Sequence, residues 1–479
     1  MGPPKKRNAN LQRQIPSSDA TSPSSASPPQ LSYRPSLVPI RPRDPLPSLQ
    51  PHLPVDIDQG LIHHYTSRLC SLLLSRHAHP DYQRLFVQSS ILPKLQLMVE
   101  PLLACASLDL SRQFPAYRPL ALAYYAQAVT RTRNAITGER VEGTEDWLLM
   151  NVLHLNLFET WNSDAADESD DSDNSGSDTT PALLHIQGAA QILKLKLERQ
   201  SYSSVPTNTS DMVVARIAAE AFVYHTVNWS LFHGNPIPTS TMPAATLWIG
   251  LQPYLDLKPF PDALDAEKSP VLGVPWQVYR FLSDLTIYFH QQQCRDNNDD
   301  DVTDALALRD DFEAWEMQHE AEDINKQNAS SPYRQRTRLF ILALKLLILK
   351  LVHPAIATMD ERVQYIVKEA IRLIQTNDSS EASVKENVVL ERTDFWPLLV
   401  VGSAVIVNGQ VAVVRATLQT MAQTMHSVAF VKTKRALETI WASDKRDRDG
   451  LTMLLGGSGV PGLMQTAATA TASDMHAPR

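Results

Sequence analysis

The sequence predicts an all-α fold: packed helical hairpins forming one large domain. Three observations lead there. Apolar residues recur every three or four positions through successive stretches of about ten to twenty residues, the spacing of one face of an α-helix. No strand-type alternation appears between Asp56 and Gly138, where the helical pattern is established. Capping residues, glycines and prolines separate the stretches, leaving short turns that suit helical hairpins. No fixed-period repeat marks a solenoid.

Composition sets the outer bounds. The 479 residues are 43% hydrophobic and 20% charged, enough apolar material for a sizeable core. At roughly 150 residues per domain the length allows about three domains, or one large helical one. A net charge of -8 gives the chain as a whole no reason to bind nucleic acid or an acidic membrane surface. Cys70, Cys105 and Cys294 lie far apart, with no C-x-x-C, which points to a reducing compartment. The polar, Pro-rich start does not read as a signal peptide.

Residues 1–54 read as a disordered tail. They hold thirteen of the 33 prolines and many serines, and bury too little apolar surface to offset the entropy of ordering. The tail is basic, with seven Lys or Arg against two Asp or Glu. Its Lys5, Lys6 and Arg7 fit either a short nuclear import signal or a solvated basic terminus. The helical body then runs from residue 55 to 455. Leu61, Ile62, Tyr65, Leu69, Leu72 and Leu73 form a first stripe, with Asp58 as its cap. A second helix covers about 85–103, interrupted or kinked around Pro93 and Pro101. A third covers about 119–136 and stops at Gly138.

Two stretches form the expected centre. In residues 144–161, Leu148, Val152, Leu155 and Phe158 recur at helical spacing between Trp147 and Trp161. Thr144 suits the cap, and Glu145 and Asp146 the positive end of the dipole. In residues 180–195, Pro181 suits the first helical position, and Leu184, Gly188, Ile192 and Leu195 share one face. A glycine inside a helix costs roughly 1 kcal/mol relative to Ala, so Gly188 is expected where two helices meet closely. Residues 162–179 carry seven Asp or Glu and no Lys or Arg. They read as a disordered acidic insertion, or as an activation segment, although bulky apolar residues are missing from it.

Further along, residues 211–232 read as one long helix, and the Pro-rich 234–275 as an ordered irregular segment lying over the helices. Helices follow at 277–293, 303–326 and 333–352, then in an apolar run at 395–414 and on to about Trp441. Lys345 and Lys350 make 333–352 a core helix rather than a membrane span. Residues 456–479 read as a flexible tail.

Five stretches carry a family resemblance. "ALLHIQGAAQILKL" (182–195) resembles the Leu-His-x-x-Gly-Ala helix of the fungal-specific transcription factor domain. Leu61-Ile-His-His-Tyr65, Tyr124-Tyr125-Ala126-Gln-Ala128-Val129, Pro270-Val-Leu-Gly273-Val-Pro275 and Phe395-Trp396-Pro397-Leu398 with Gly402 resemble further segments of it, in the family's order. The likeness spans roughly residues 55–455. It implies a helical regulatory domain of the kind found beside a zinc binuclear cluster. That cluster needs six closely spaced cysteines, because two zinc ions share six thiolates, and three dispersed cysteines cannot build it.

Other motifs lead nowhere. Gly457-Ser-Gly459-Val-Pro461-Gly462 matches a dinucleotide fingerprint but has seventeen residues after it and Pro461 inside the turn, whereas the motif needs a strand before and an acidic residue about 20 positions later. His63/His64 and His77/His79 lack converging carboxylates. His154 and His185 sit in apolar stripes, as packed histidines do. No hydrolase, metalloprotease or P-loop motif occurs, so no catalytic, cofactor-binding or metal-ligating residue is expected.

The resemblance therefore implies a nuclear transcriptional regulator and not an enzyme. It would act through transcription proteins or a DNA-binding partner, with a small-molecule effector and only weak direct contact to DNA, and without a membrane span. A helical scaffold or metabolic accessory protein derived from the same fold is the alternative, as is a DNA-binding exon missing from the sequence. The import reading has a direct check. Replacing Lys5, Lys6 and Arg7 together with Ala is expected to leave a fluorescent fusion in the cytoplasm, and unchanged nuclear accumulation contradicts it.

Overall fold

Eleven consecutive buried side chains, from Leu148 to Phe158, mark a helix with no solvent face. Such a helix lies inside a domain, with neighbours on every side. The computed structural model describes residues 55–88, 95–138, 141–162, 181–200, 206–233, 244–294, 300–325, 331–375, 390–425 and 428–455. All belong to the second of the chain's two units, Leu53–Arg479. Lys5, Lys6, Arg7, the acidic insertion and the glycine-rich 457–462 lie outside the described residues.

The first half opens with α1 (Val55–His64), which runs through a π-helical turn (Tyr65–Leu69) into α2 (Cys70–Leu73). Then come α3 (Asp81–Phe86), α4 (Leu95–Ser111), α5 (Tyr117–Thr137), α6 (Asp146–Asn162), α7 (Pro181–Gln200), α8 (Thr209–His233) and α9 (Ala244–Leu255). The second half comprises α10 (Trp276–Cys294), α11 (Asp300–Asn325), α12 (Ser331–Val352), α13 (Glu361–Gln375), α14 (Phe395–Ser403), α15 (Asn408–Met425), α16 (Val428–Ala442) and α17 (Arg446–Leu454). The described elements are all helical, and none is long and apolar enough to cross a membrane.

The buried helix is α6. It packs against α4, α5, α7 and α8. Two of its buried polar side chains tie it to its neighbours through their amide nitrogens, while their oxygens have no partner among the described residues: Asn151 Nδ2 donates to the Leu97 carbonyl at 2.8 Å, and Asn156 Nδ2 to the Ala182 carbonyl at 2.9 Å. Buried polar groups left unpaired cost about 1–3 kcal/mol each. The second half gathers on α12 and α14. All nine residues of α14 are buried, and Trp396 meets the rings of Phe340 and Tyr279 edge-on at 5.0 and 6.4 Å. The halves join where α8 packs on α10, inside one contiguous apolar core.

Several sequence expectations are corrected. Asp58 is inside α1, where it accepts from Tyr124 Oη, and does not cap the helix. Of the two breaks expected in 85–103, α3 ends at Phe86 and α4 starts at Leu95, after Pro93, whereas Pro101 is accommodated within α4 without interrupting it. Thr144 is one residue too early to cap α6, because the Glu145 carbonyl accepts the first amides, from Leu148 and Leu149. Residues 244–255 form α9, with Pro253 inside it, rather than irregular chain. The run 395–414 is two helices, broken between Ser403 and Asn408.

The face of α7 is also corrected. Its buried residues are Ala182, Leu183, Ile186, Ala189, Ala190, Ile192 and Leu193, whereas Leu184 is 51% exposed and Leu195 39%. The true stripe is displaced by about one residue, because apolar side chains line both candidate faces. Gly188 is half-buried, and a Cβ there would sit 3.7 Å from Val152 Cγ1, an ordinary contact. Gly188→Ala is therefore expected to hold or raise the melting temperature, since Ala is favoured in a helix by up to about 1 kcal/mol. Leu193→Ala on the packed face is expected to cost about 2–5 kcal/mol. A thermal melt in which Gly188→Ala is the more damaging change contradicts this assignment.

Candidate functional site

The segment from Ser269 to Pro275 is held from two sides by opposite charges. On one side lies Glu220 of α8, fully buried. Its Oε1 accepts from Arg216 Nε at 2.7 Å, one helical turn earlier. Its Oε2 accepts from Ser269 Oγ at 3.1 Å and from the Val271 and Leu272 amides at 2.8 and 3.0 Å. On the other side lies Arg336 of α12, with no exposed surface. Its Nη1 donates to the Gly273 carbonyl at 2.8 Å and lies 3.0 Å from Glu391 Oε2, and its Nε donates to Asp394 Oδ1 at 2.8 Å. Its Nη2 donates to Thr393 Oγ1. Glu391 Oε1 also accepts from Ser75 Oγ at 3.1 Å and the Arg76 amide at 2.9 Å.

This hub explains the glycine. Gly273 has φ +62°, and a Cβ there would overlap Arg336 Nη1 and lie 2.8 Å from Ser75 Oγ. Glycine alone combines that backbone conformation with that approach.

Beside the hub opens a cavity of about 890 Å³, counted out to its mouth, walled by the turn after α2 and by α3, α6, α8, the 391–393 turn and the end of α15. Its apolar wall includes Leu74, Phe86, Met150, Leu153, Leu157 and Ile217, and its polar wall includes Tyr65, His154, Tyr224, His225 and Arg392. The π-helical turn places Tyr65 so that its Oη donates to His154 Nε2. His154 Nδ1, 2.6 Å from the Met150 carbonyl, must then carry the ring proton. Burial pulls His154 down to about 4, opposed by that carbonyl. Burial, then the charge of Arg392 and the neighbouring His154, pull His225 to about 3. Both rings are neutral at pH 7. Burial pushes the Cys70 thiol up to about 12, so it stays protonated and unreactive. The cavity thus presents neutral rings, a protonated thiol and an apolar wall.

Residues 60–452 match the family described as "Fungal specific transcription factor domain". The chain belongs to this family. No curated protein and no solved structure matches it. Family membership supports a role in transcriptional regulation.

The family's segments meet in space. Tyr125 of α5 hydrogen-bonds His185 of α7 at 3.0 Å and stacks on Phe158 of α6 at 4.5 Å. Gly273 is in the hub, and Phe395 directly follows the hub's Asp394. Among the residues singled out from sequence, Trp147 packs at the edge of the core. Trp161 lies between two guanidinium groups, with Arg112 and Arg392 at 5.3 and 5.2 Å from its ring. Ile192 is buried, Gly188 faces Val152, and Leu184 is out of the contact. The histidine pairs diverge: His64 bonds Asp109 at 2.9 Å, and His79 stacks on Phe260 at 4.1 Å. Among the described residues no group of three or more His, Cys, Asp or Glu could hold a metal. Sequence reasoning passed over Arg336, Arg392, Glu220 and His225. The one available signal was a basic residue, Arg336, at the start of a strongly apolar helix.

The neutral His154 gives a pH test with a definite sign. Its folded pKa is depressed, so the unfolded chain binds the proton first as pH falls. The stability it contributes is full above about 6.5 and is lost as pH falls through about 4. His154→Gln is expected to flatten stability against pH in that window, by up to about 1.4 kcal/mol per pH unit. Urea melts at several pH values with equal slopes for both proteins contradict it.

Proposed function

We propose that this protein is a transcriptional regulator whose helical body senses a small-molecule effector in the cavity beside the Arg336 hub, and that it reaches promoters through a partner that supplies the DNA reader. The observation that carries the regulatory role is the family match over residues 60–452. The effector reading draws on the cavity, whose wall is mostly apolar with a few convergent polar groups, as ligand pockets are. The partner reading draws on the sequence: three dispersed cysteines leave no zinc cluster, and the net charge is -8. The basic cluster Lys5-Lys6-Arg7 fits delivery to the nucleus.

A salt titration tests the partner reading. A protein that neutralises phosphates loses affinity with a log–log slope of about -0.9 per contact. Full-length protein is expected to bind random and promoter duplexes equally weakly. Removing residues 1–54 is expected to abolish that residual binding. Tight binding of one sequence by the truncated protein contradicts the reading and places a DNA-binding element in the helical body.

A further inference from the structure

The cavity wall holds an uncompensated positive charge. Arg392 is half-buried, with its guanidinium against the rings of Trp161 and Tyr224 at 5.2 and 5.4 Å. Among the described residues it makes no ion pair and no hydrogen bond. Aromatic contacts use the face of a guanidinium and leave its in-plane N–H donors free. Beside it stands His225, whose ring makes no hydrogen bond among the described residues. Arg76, exposed at the mouth, gives its amide to Glu391 while its guanidinium meets no carboxylate among the described residues. The one acid in the wall, Glu391, is already satisfied: Oε2 lies on Arg336, and Oε1 accepts from Ser75 and the Arg76 amide. The rest of the wall is largely hydrocarbon.

We propose that the cavity takes a small monocarboxylic acid with an apolar body. The carboxylate pairs with the free edge of Arg392, within reach of His225, and the hydrocarbon lies along Phe86, Met150, Leu153 and Leu157. A planar guanidinium edge matches a carboxylate with two parallel hydrogen bonds. A single half-buried cation suits one negative charge, because a second charge in an apolar wall would be left unpaired at high cost. This inference rests on the effector reading and adds the charge and shape of the ligand.

Decanoate, 1-decanol and decylphosphonate, each below its micelle concentration, are the probes, titrated into the full chain by calorimetry. Decanoate is expected to bind saturably and at least about tenfold tighter than decanol, the worth of one charge-assisted pair. Arg392→Gln is expected to remove most of that preference without weakening decanol, and Arg392→Lys to retain part of it. Leu153→Trp, which fills the apolar wall, is expected to weaken both. Equal binding of acid and alcohol by the wild type overturns the anionic ligand but leaves the effector cavity standing, and this comparison decides even where Arg392→Gln fails to fold. An unchanged preference in Arg392→Gln, or unchanged decanoate binding in Leu153→Trp, places the acid elsewhere and overturns the proposal. Tighter binding of decylphosphonate overturns the choice of a monoanion. No saturable binding of any probe overturns both the inference and the effector reading.

Discussion

A guanidinium with no exposed surface, Arg336, sets terms for the rest of the structure. A buried charge costs several kcal/mol unless its partners are excellent, and breaking such a pair costs about 3–5 kcal/mol. Arg336 meets that demand with two carboxylates, a hydroxyl and a carbonyl drawn from two separate segments, 391–394 and the Gly273 turn. Each partner is thereby fixed in place. Gly273 must lie under the guanidinium, and the 3₁₀ turn Arg392–Asp394 must direct Asp394 inward. Glu391 is then positioned to accept from Ser75 and Arg76. The opposite charge, Glu220, ties the same irregular segment to α8 through its amides.

The cavity follows from that arrangement. Arg392 sits between the two carboxylate residues in sequence, yet it faces away from Arg336, across Trp161 and Tyr224. Trp161 ends the buried helix α6, and Tyr224 belongs to α8. The hub therefore connects α12 and α14 to the two helices that wall the cavity. A ligand that pairs with Arg392 would act on a turn whose neighbouring residues are hydrogen-bonded into both halves. That is the physical route by which occupancy of the cavity can bias a regulatory surface.

Local pattern made much of the fold legible in the sequence. The long helices α5, α8, α10, α11 and α12 stand within a few residues of where periodicity places them. Periodicity failed where it was ambiguous. In α7 two adjacent apolar series compete, so Leu184 was placed inside and is exposed. In 395–414 the apolar run hides a break, because α14 is buried throughout and the apolar series resumes at Val411 and Val414 on the buried side of α15. In α9 the surrounding prolines masked a helix that tolerates Pro253. The site was far less legible. Ser75, Glu220, Gly273, Arg336 and Glu391 come together across hundreds of positions, and no spacing announces them. Only Gly273 and Phe395-Trp396 were marked beforehand, by family resemblance, and their reason is tertiary: one must approach a guanidinium and the others follow its carboxylate.

Hydrogen exchange at three amides tests the role of the hub most directly. The Arg76 amide donates to Glu391, the Gly273 amide to Ser269 Oγ and the Glu391 amide to Asp394, each one a step from Arg336 in a different segment. Removing the charge in Arg336→Met is expected to lower protection at all three together, because the guanidinium holds the acceptors of the first and third amides, Glu391 and Asp394, and holds Gly273 itself through its carbonyl. Wild-type protection retained at any one of the three in Arg336→Met would contradict a single shared hub.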